Sequence, residues 1–139
     1  MIDPKTLKVK LIDFGLCNFI TINNFGQFCQ KVGSAEYWPA EFFADNTYCG
    51  VKVDVWCLGM VLFCLLNASF PYDPNTRGNV VRETGVHPSF VFVWPVSSQA
   101  RDLVRRMLEV DPEKRIDMEG IFKHPWMKSE FVKFFSKKM

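Results

Sequence analysis

Histidine is scarce in this chain. Among 139 residues only His87 and His124 offer an imidazole, and no two of the five cysteines stand in a C-x-x-C pair. Zinc sites draw on such spacings, so the pattern argues against a metal–thiolate centre. An odd cysteine count also speaks against a disulfide framework, and reduced, buried thiols of a cytosolic or nuclear protein are expected. Charge of one sign is lacking too. The net charge of +2 is too small to point to nucleic acid as a partner. The longest uncharged apolar run, Val55 to Leu66, is too short to span a bilayer, which takes about 20 residues. The start, Met1-Ile2-Asp3-Pro4-Lys5, has no apolar core of the kind a secretory leader carries. The glycosylation-type triplet Asn67-Ala68-Ser69 is therefore read as accidental. No repeat and no linker-like stretch divides the chain, so one unit is expected.

Apolar residues are present in ordinary measure. They make up 48% of the chain against 23% charged, which excludes a disordered polymer. Fourteen Phe and four Trp predict an aromatic-rich core. Leu7, Val9, Leu11 and Ile12, with Lys8 and Lys10 between them, predict a short strand. Residues 17–32 have no sustained period and predict a loop. A short helix is expected over 39–44. An all-round apolar helix is expected from Asp54 to Leu66, with Asp54 favoured at its N-terminus by the helix dipole. Cys57 and Cys64 share a face of it and are expected to pack. A short helix around 76–83 comes next. Ser97 or Ser98 then caps a helix carrying Ala100, Leu103, Val104, Met107 and Leu108 on one face. Asp117 caps a last short helix, stopped by His124-Pro125. His124 is expected to pack or cap there rather than act as a base. The closing stretch with Met127, Phe131, Phe134 and Phe135 is amphipathic, and its late lysines read as a solvated face. It suits docking on the chain's own surface, with a membrane surface or calmodulin as the alternative.

Chemistry enters with Asp13-Phe14-Gly15. Alone, this tripeptide is equally a turn with a solvated carboxylate. Its neighbours give it context: Gly33-Ser34-Ala35-Glu36-Tyr37-Trp38-Pro39-Ala40-Glu41, then Val53-Asp54-Val55-Trp56-Cys57-Leu58-Gly59, Phe70-Pro71-Tyr72, Leu103-Val104-Arg105-Arg106-Met107-Leu108, Asp111-Pro112-Glu113-Lys114-Arg115-Ile116 and His124-Pro125-Trp126. In this order the motifs resemble the large, C-terminal lobe of a eukaryotic serine/threonine protein kinase. The calmodulin-dependent and AMP-activated group is most similar, with the microtubule-affinity-regulating and sperm motility kinases nearest in flavour. The resemblance implies a mainly α fold with one short strand pair at most. It divides the chain into an activation segment at 13–41, a helical lobe at 42–126 and a tail at 127–139. ATP and Mg²⁺ are the implied cofactors and a protein Ser/Thr side chain the implied substrate. Asp13 is the implied Mg²⁺ ligand, in a nucleotide-binding motif with Phe14 and Gly15. Ser34, Glu36 and Tyr37 fall on the substrate-docking loop. Glu41 and Arg115 match an ion pair expected to be buried, two exposed charges being the alternative. Asp54 matches a carboxylate that braces the catalytic loop.

The departures are specific. The family's Ala-Pro-Glu reads Pro39-Ala40-Glu41 here, and the usual phosphorylatable Thr is replaced by Gln30. No G-x-G and no H-R-D occur in the chain. Phosphoryl transfer needs a glycine-rich cover, a phosphate Lys, a catalytic Asp and a second metal ligand. The chain alone is thus expected to bind ATP and Mg²⁺ weakly or not at all. Its expected partners are a protein substrate or the N-terminal half of the kinase. The alternative is a non-catalytic binding module, or the product of a truncated gene copy. With that half absent, the apolar central helix is expected to leave an aggregation-prone or partner-binding surface.

Overall fold

A computed structural model describes residues 1–6, 8–24, 26–44, 47–71 and 90–128. The short helix expected over 76–83 and the closing stretch from residue 129 onward lie outside the described residues. The elements run β1 (Gln27–Phe28), a single 3-10 turn (Ala35–Tyr37), α1 (Glu41–Ala44), β2 (Tyr48–Cys49), α2 (Gly50–Asn67), α3 (Ser98–Met107) and α4 (Met118–Lys123). Helix predominates, and β1 and β2 pair antiparallel with Gln27 opposite Cys49 and Phe28 opposite Tyr48.

Four expectations need correction. The thiols expected to be buried are not: Cys17 and Cys29 are exposed on irregular chain, and Cys49, Cys57 and Cys64 are half-buried. The strand foreseen at 7–12 is reduced to one isolated bridge, Ile2 with Val9. Leu11 and Ile12 lie exposed there, and alternation without a buried face to fill does not hold a strand. The stretch expected to be all loop contributes β1, which takes its hydrogen-bonding partner from a segment twenty residues on. Helix α2 starts at Gly50 rather than Asp54, because β2 runs directly into it. At 18 residues with mean hydropathy 1.6 it is long and apolar enough to cross a membrane. It instead buries Val55, Trp56, Met60 and Phe63 within the protein, the pattern of a core helix.

Helix α2 is the centre of the core. Trp56, Met60 and Phe63 pack with Val104 and Leu108, while Val55 packs with Leu103, Met107 and Ile121. The two helices approach closely at Gly59, where an added Cβ would stand 2.8 Å from Met107 Cβ. Both later helices begin as their sequences predict. Ser97 Oγ accepts from Ala100 N at 3.2 Å, and Asp117 Oδ1 from Gly120 N at 2.7 Å, each satisfying an orphan amide of the first turn. Asn67 is buried at the end of α2. Its amide donates to Ser69 Oγ and Val91 O and accepts from Val93 N at 2.7 Å, fastening the chain that returns toward α3. A glycan on Asn67 Nδ2 would leave one N–H where the buried amide uses two.

Candidate functional site

Asp13 holds φ at +61°, a left-handed conformation that carboxylate and carboxamide residues tolerate best. Its Oδ1 accepts from Gly15 N at 3.2 Å, and Cys17 N then bonds Phe14 O, so the tripeptide is a tight turn presenting an exposed carboxylate. This turn forms one wall of a cleft of about 970 Å³. Gly15, Ser34, Tyr37 and Asp54 line the same cleft. Phe14 and Glu36 are exposed and do not line it.

The N-terminal half of α2 also lines the cleft. Asp54 stands one turn into the helix. The protein around it thins its hydration and pushes its carboxyl above the ordinary value. Tyr48 lines the cleft too, its hydroxyl donating to Gln30 O at 2.5 Å. Burial raises the tyrosine's pKa, and negative charge on Cys29 and Asp54 adds to the effect. Tyr37 is held between helix and loop. Its carbonyl accepts from Cys57 Sγ, and its ring meets Phe70 edge-on at 5.5 Å. Ser34 precedes the 3-10 turn, and its side chain caps nothing.

Outside the cleft lining Glu41 and Arg115 meet. Nη1 and Nη2 of the guanidinium donate to the two carboxylate oxygens at 2.7 and 2.9 Å, with both residues buried. The remaining donors reach Lys52 O, Glu109 O and Val110 O, so all five N–H groups are used. The guanidinium also lies 5.0 Å from the Trp56 ring centre. Lys52 Nζ returns a bond to Arg115 O. The inverted Pro39-Ala40 pair is accommodated without strain. Phe42 N bonds Pro39 O and Phe43 N bonds Ala40 O, so Pro39 sits at a helix start, where a missing N–H costs little.

Two partnerships have no signal in the sequence. Tyr48 reaches Gln30 across eighteen residues. His124, buried, contacts Asp102 Oδ2 through Nε2 at 3.0 Å, while its Nδ1 accepts from Trp126 N. The expected packing and capping by His124 thus comes with an acidic partner, 22 residues earlier in the chain. The hydrogen bond from His124, followed by that from Arg106, holds the Asp102 carboxyl below its ordinary value.

The donor set can be weighed against a magnesium nucleotide. Among the described residues no three His, Cys, Asp or Glu side chains converge on one metal position. Mg²⁺ in phosphoryl-transfer sites takes one or two carboxylates and completes its shell with phosphates and water. Asp13 fits as one such ligand, but a cradle for the nucleotide itself is not formed by the described residues.

A mainly helical unit with these motifs in this order has the features of a protein kinase domain. Residues 1–127 match the family model of that domain, and the chain belongs to the protein kinase family. It is 40% identical over 126 residues to the protein kinase domain-containing protein ppk9 of Schizosaccharomyces pombe, covering 88% of this chain and 22% of that protein. It is 37% identical to the SNF1-like protein kinase ssp2 of the same yeast, over 86% of this chain and 20% of ssp2. Against the probable serine/threonine-protein kinase MARK-A of Dictyostelium discoideum it is 35% identical, over 88% of this chain and 11% of the relative. The similarity to the AMP-activated and microtubule-affinity-regulating group is thus shared by relatives from distant organisms. The chain spans only 11 to 28% of the length of these and similar relatives.

Proposed function

We propose that the chain is the large-lobe part of a serine/threonine protein kinase and transfers no phosphate unaided. The observation carrying this reading is the shared cleft, which gathers Asp13, Ser34, Tyr37 and Asp54 from three separate segments. In the intact enzyme Asp13 would be a ligand of Mg²⁺, with Phe14 and Gly15 shaping its turn. The bound ion would neutralise charge on nucleotide phosphates. Ser34, Glu36 and Tyr37 present the acceptor peptide. The buried Glu41–Arg115 pair anchors the end of that segment to the lobe, and Asp54 braces the backbone of a catalytic loop supplied from elsewhere. Free thiols at all five cysteines suit the cytosol or nucleus.

Two measurements test the proposal. Sequence of the transcript upstream of the Met1 codon is expected to read in frame through H-R-D and a glycine-rich loop. A stop codon directly upstream would favour a non-catalytic binding module instead. The isolated chain, given labelled ATP and a peptide, is expected to incorporate no label. Incorporation abolished by Asp13→Ala would overturn the claim of dependence on a second half.

A further inference from the structure

Residues 30–34 are exposed and belong to no regular element. Among the described residues their one backbone–backbone hydrogen bond is that of Ser34 O with the amide of Tyr37. A stretch without backbone partners of its own takes its place from side chains. Two aromatic donors supply them. Tyr48 Oη donates to Gln30 O at 2.5 Å, and Trp38 Nε1 donates to Val32 O at 3.1 Å and to Gly33 O at 3.2 Å. The donors are themselves fixed. Tyr48 is buried on β2 opposite Phe28, and Trp38 is half-buried just before α1. Both rings lean on Phe42, Tyr48 with its centre 4.4 Å away and Trp38 at 5.6 Å. Phe42 is buried on α1 beside Glu41, which Arg115 ties to the lobe. One aromatic block thus carries both donor heads, and an ion pair anchors the helix that supports it.

We propose that Tyr48 and Trp38 are positioning residues that hold 30–34, and with it Ser34 of the peptide platform, in place without a phosphate. A phosphorylated loop of this kind is ordered by the cationic side chains that its phosphate recruits. This chain has Gln30 where a phosphorylatable Thr is usual, and no Lys, Arg or His lines the cleft. The two donors reach backbone carbonyls, so they act whatever side chain stands at position 30. Each is a donor on a rigid ring, which loses little freedom in making its bond. That the held segment presents a peptide rests on the kinase reading; that it is held does not.

Limited proteolysis of the whole chain tests the assignment. Lys31 is the one tryptic site between Lys10 and Lys52. Trypsin needs a locally opened chain, so its rate at Lys31, divided by the rate for a short peptide spanning the same bond, measures how firmly the segment is held. The parent chain is expected to be cut at Lys31 far more slowly than the peptide. Tyr48→Phe and Trp38→Phe each keep an aromatic ring and remove the donor. Each is expected to raise the relative rate roughly three- to tenfold, as the loss of a hydrogen bond implies, and the pair together further. Cleavage at Lys52, inside α2, reports opening of the core and is expected to change less. Gln30→Glu places a negative charge where a phosphate would stand, and is expected to leave the relative rate at Lys31 within about twofold of the parent. A parent cut as fast as the peptide, either donor variant cut like the parent, equal acceleration at Lys31 and Lys52, or several-fold protection by Gln30→Glu would each overturn the proposal. No nucleotide or acceptor peptide enters this test, so its failure leaves the kinase reading standing.

Discussion

At the residue scale the structure separates charges that act through burial from those that act through a hydrogen bond. Arg115 is fully used by its neighbours, so removing Glu41 leaves a buried guanidinium uncompensated. Glu41→Gln and Arg115→Ala are each expected to lower stability by ~3–5 kcal/mol, read from the denaturant midpoint. Arg115→Lys should recover little, because an ammonium cannot make five planar contacts. A loss under about 1 kcal/mol would mean the pair behaves as an exposed one. Asp54 and Asp102 respond to pH in opposite senses. The folded carboxyl of Asp54 is raised by burial, so its charge opposes folding at neutral pH and that penalty is relieved as the acid protonates. Asp54→Asn is expected to stabilise the chain at pH 7 and to lose that advantage at low pH. The folded carboxyl of Asp102 is depressed by His124. Its contribution is complete above the ordinary carboxylate value and drains as pH falls through the lower folded value. Asp102→Asn should therefore destabilise at pH 7 and converge with the parent chain in acid. Melting curves from pH 7 down to about pH 3 check both, and parallel curves for either variant would refute its assignment. Of these groups, the Glu41–Arg115 pair was legible because motif order singled it out. Asp102 was not, since nothing in a sequence marks an acid that meets a histidine 22 residues away.

Elements were legible where a local rule sufficed. The apolar face of α3 and the caps at Ser97 and Asp117 follow from spacing and from side chains that reach the next turn's amides. One short strand pair was allowed for, but its place was not legible, because two-residue strands carry no period and depend on a distant partner. The expected strand at 7–12 failed for the complementary reason, having the pattern but no surface to cover. The start of α2 was misplaced because Gly50 and Val51 carry no cap signal; the preceding N-cap residue, Cys49, makes no side-chain bond. Close approach of α2 to α3 at Gly59 makes a testable point about such helices. Alanine gains about 0.5–1 kcal/mol over glycine in a helix interior. Here its methyl would stand 2.8 Å from Met107 Cβ and 3.0 Å from Leu108 Cδ2. Met107 Cβ is fixed to its backbone and cannot swing away, so relief requires moving a helix, at ~1–3 kcal/mol. Gly59→Ala is expected to destabilise by about 1 kcal/mol net, measured by urea unfolding. A stabilised variant would show that the two helices part easily.

On the scale of the whole molecule, α2 faces two ways. Trp56, Met60 and Phe63 fill the core, but Val51, Leu58, Val61 and Leu65 are exposed at 41, 44, 43 and 77%. Their spacing of seven, three and four residues places them along one stripe of the helix. Burying such side chains is worth ~1.5–3 kcal/mol each, so exposing four together forgoes that stabilisation and favours self-association. The charged neighbours on this helix, Lys52 and Asp54, lie in its first turns and leave the later part of the stripe unbroken. The double variant Leu58→Gln with Leu65→Gln isolates the effect. Glutamine nearly matches leucine in helix propensity, and exposed substitutions shift stability by about 0.5 kcal/mol or less each. Binding of a hydrophobic fluorescent dye is therefore expected to fall several-fold, and gel filtration to shift toward the monomer, while the urea midpoint barely moves. Should the midpoint collapse instead, the stripe would be packed by the chain itself, and the exposed apolar surface would have to lie elsewhere.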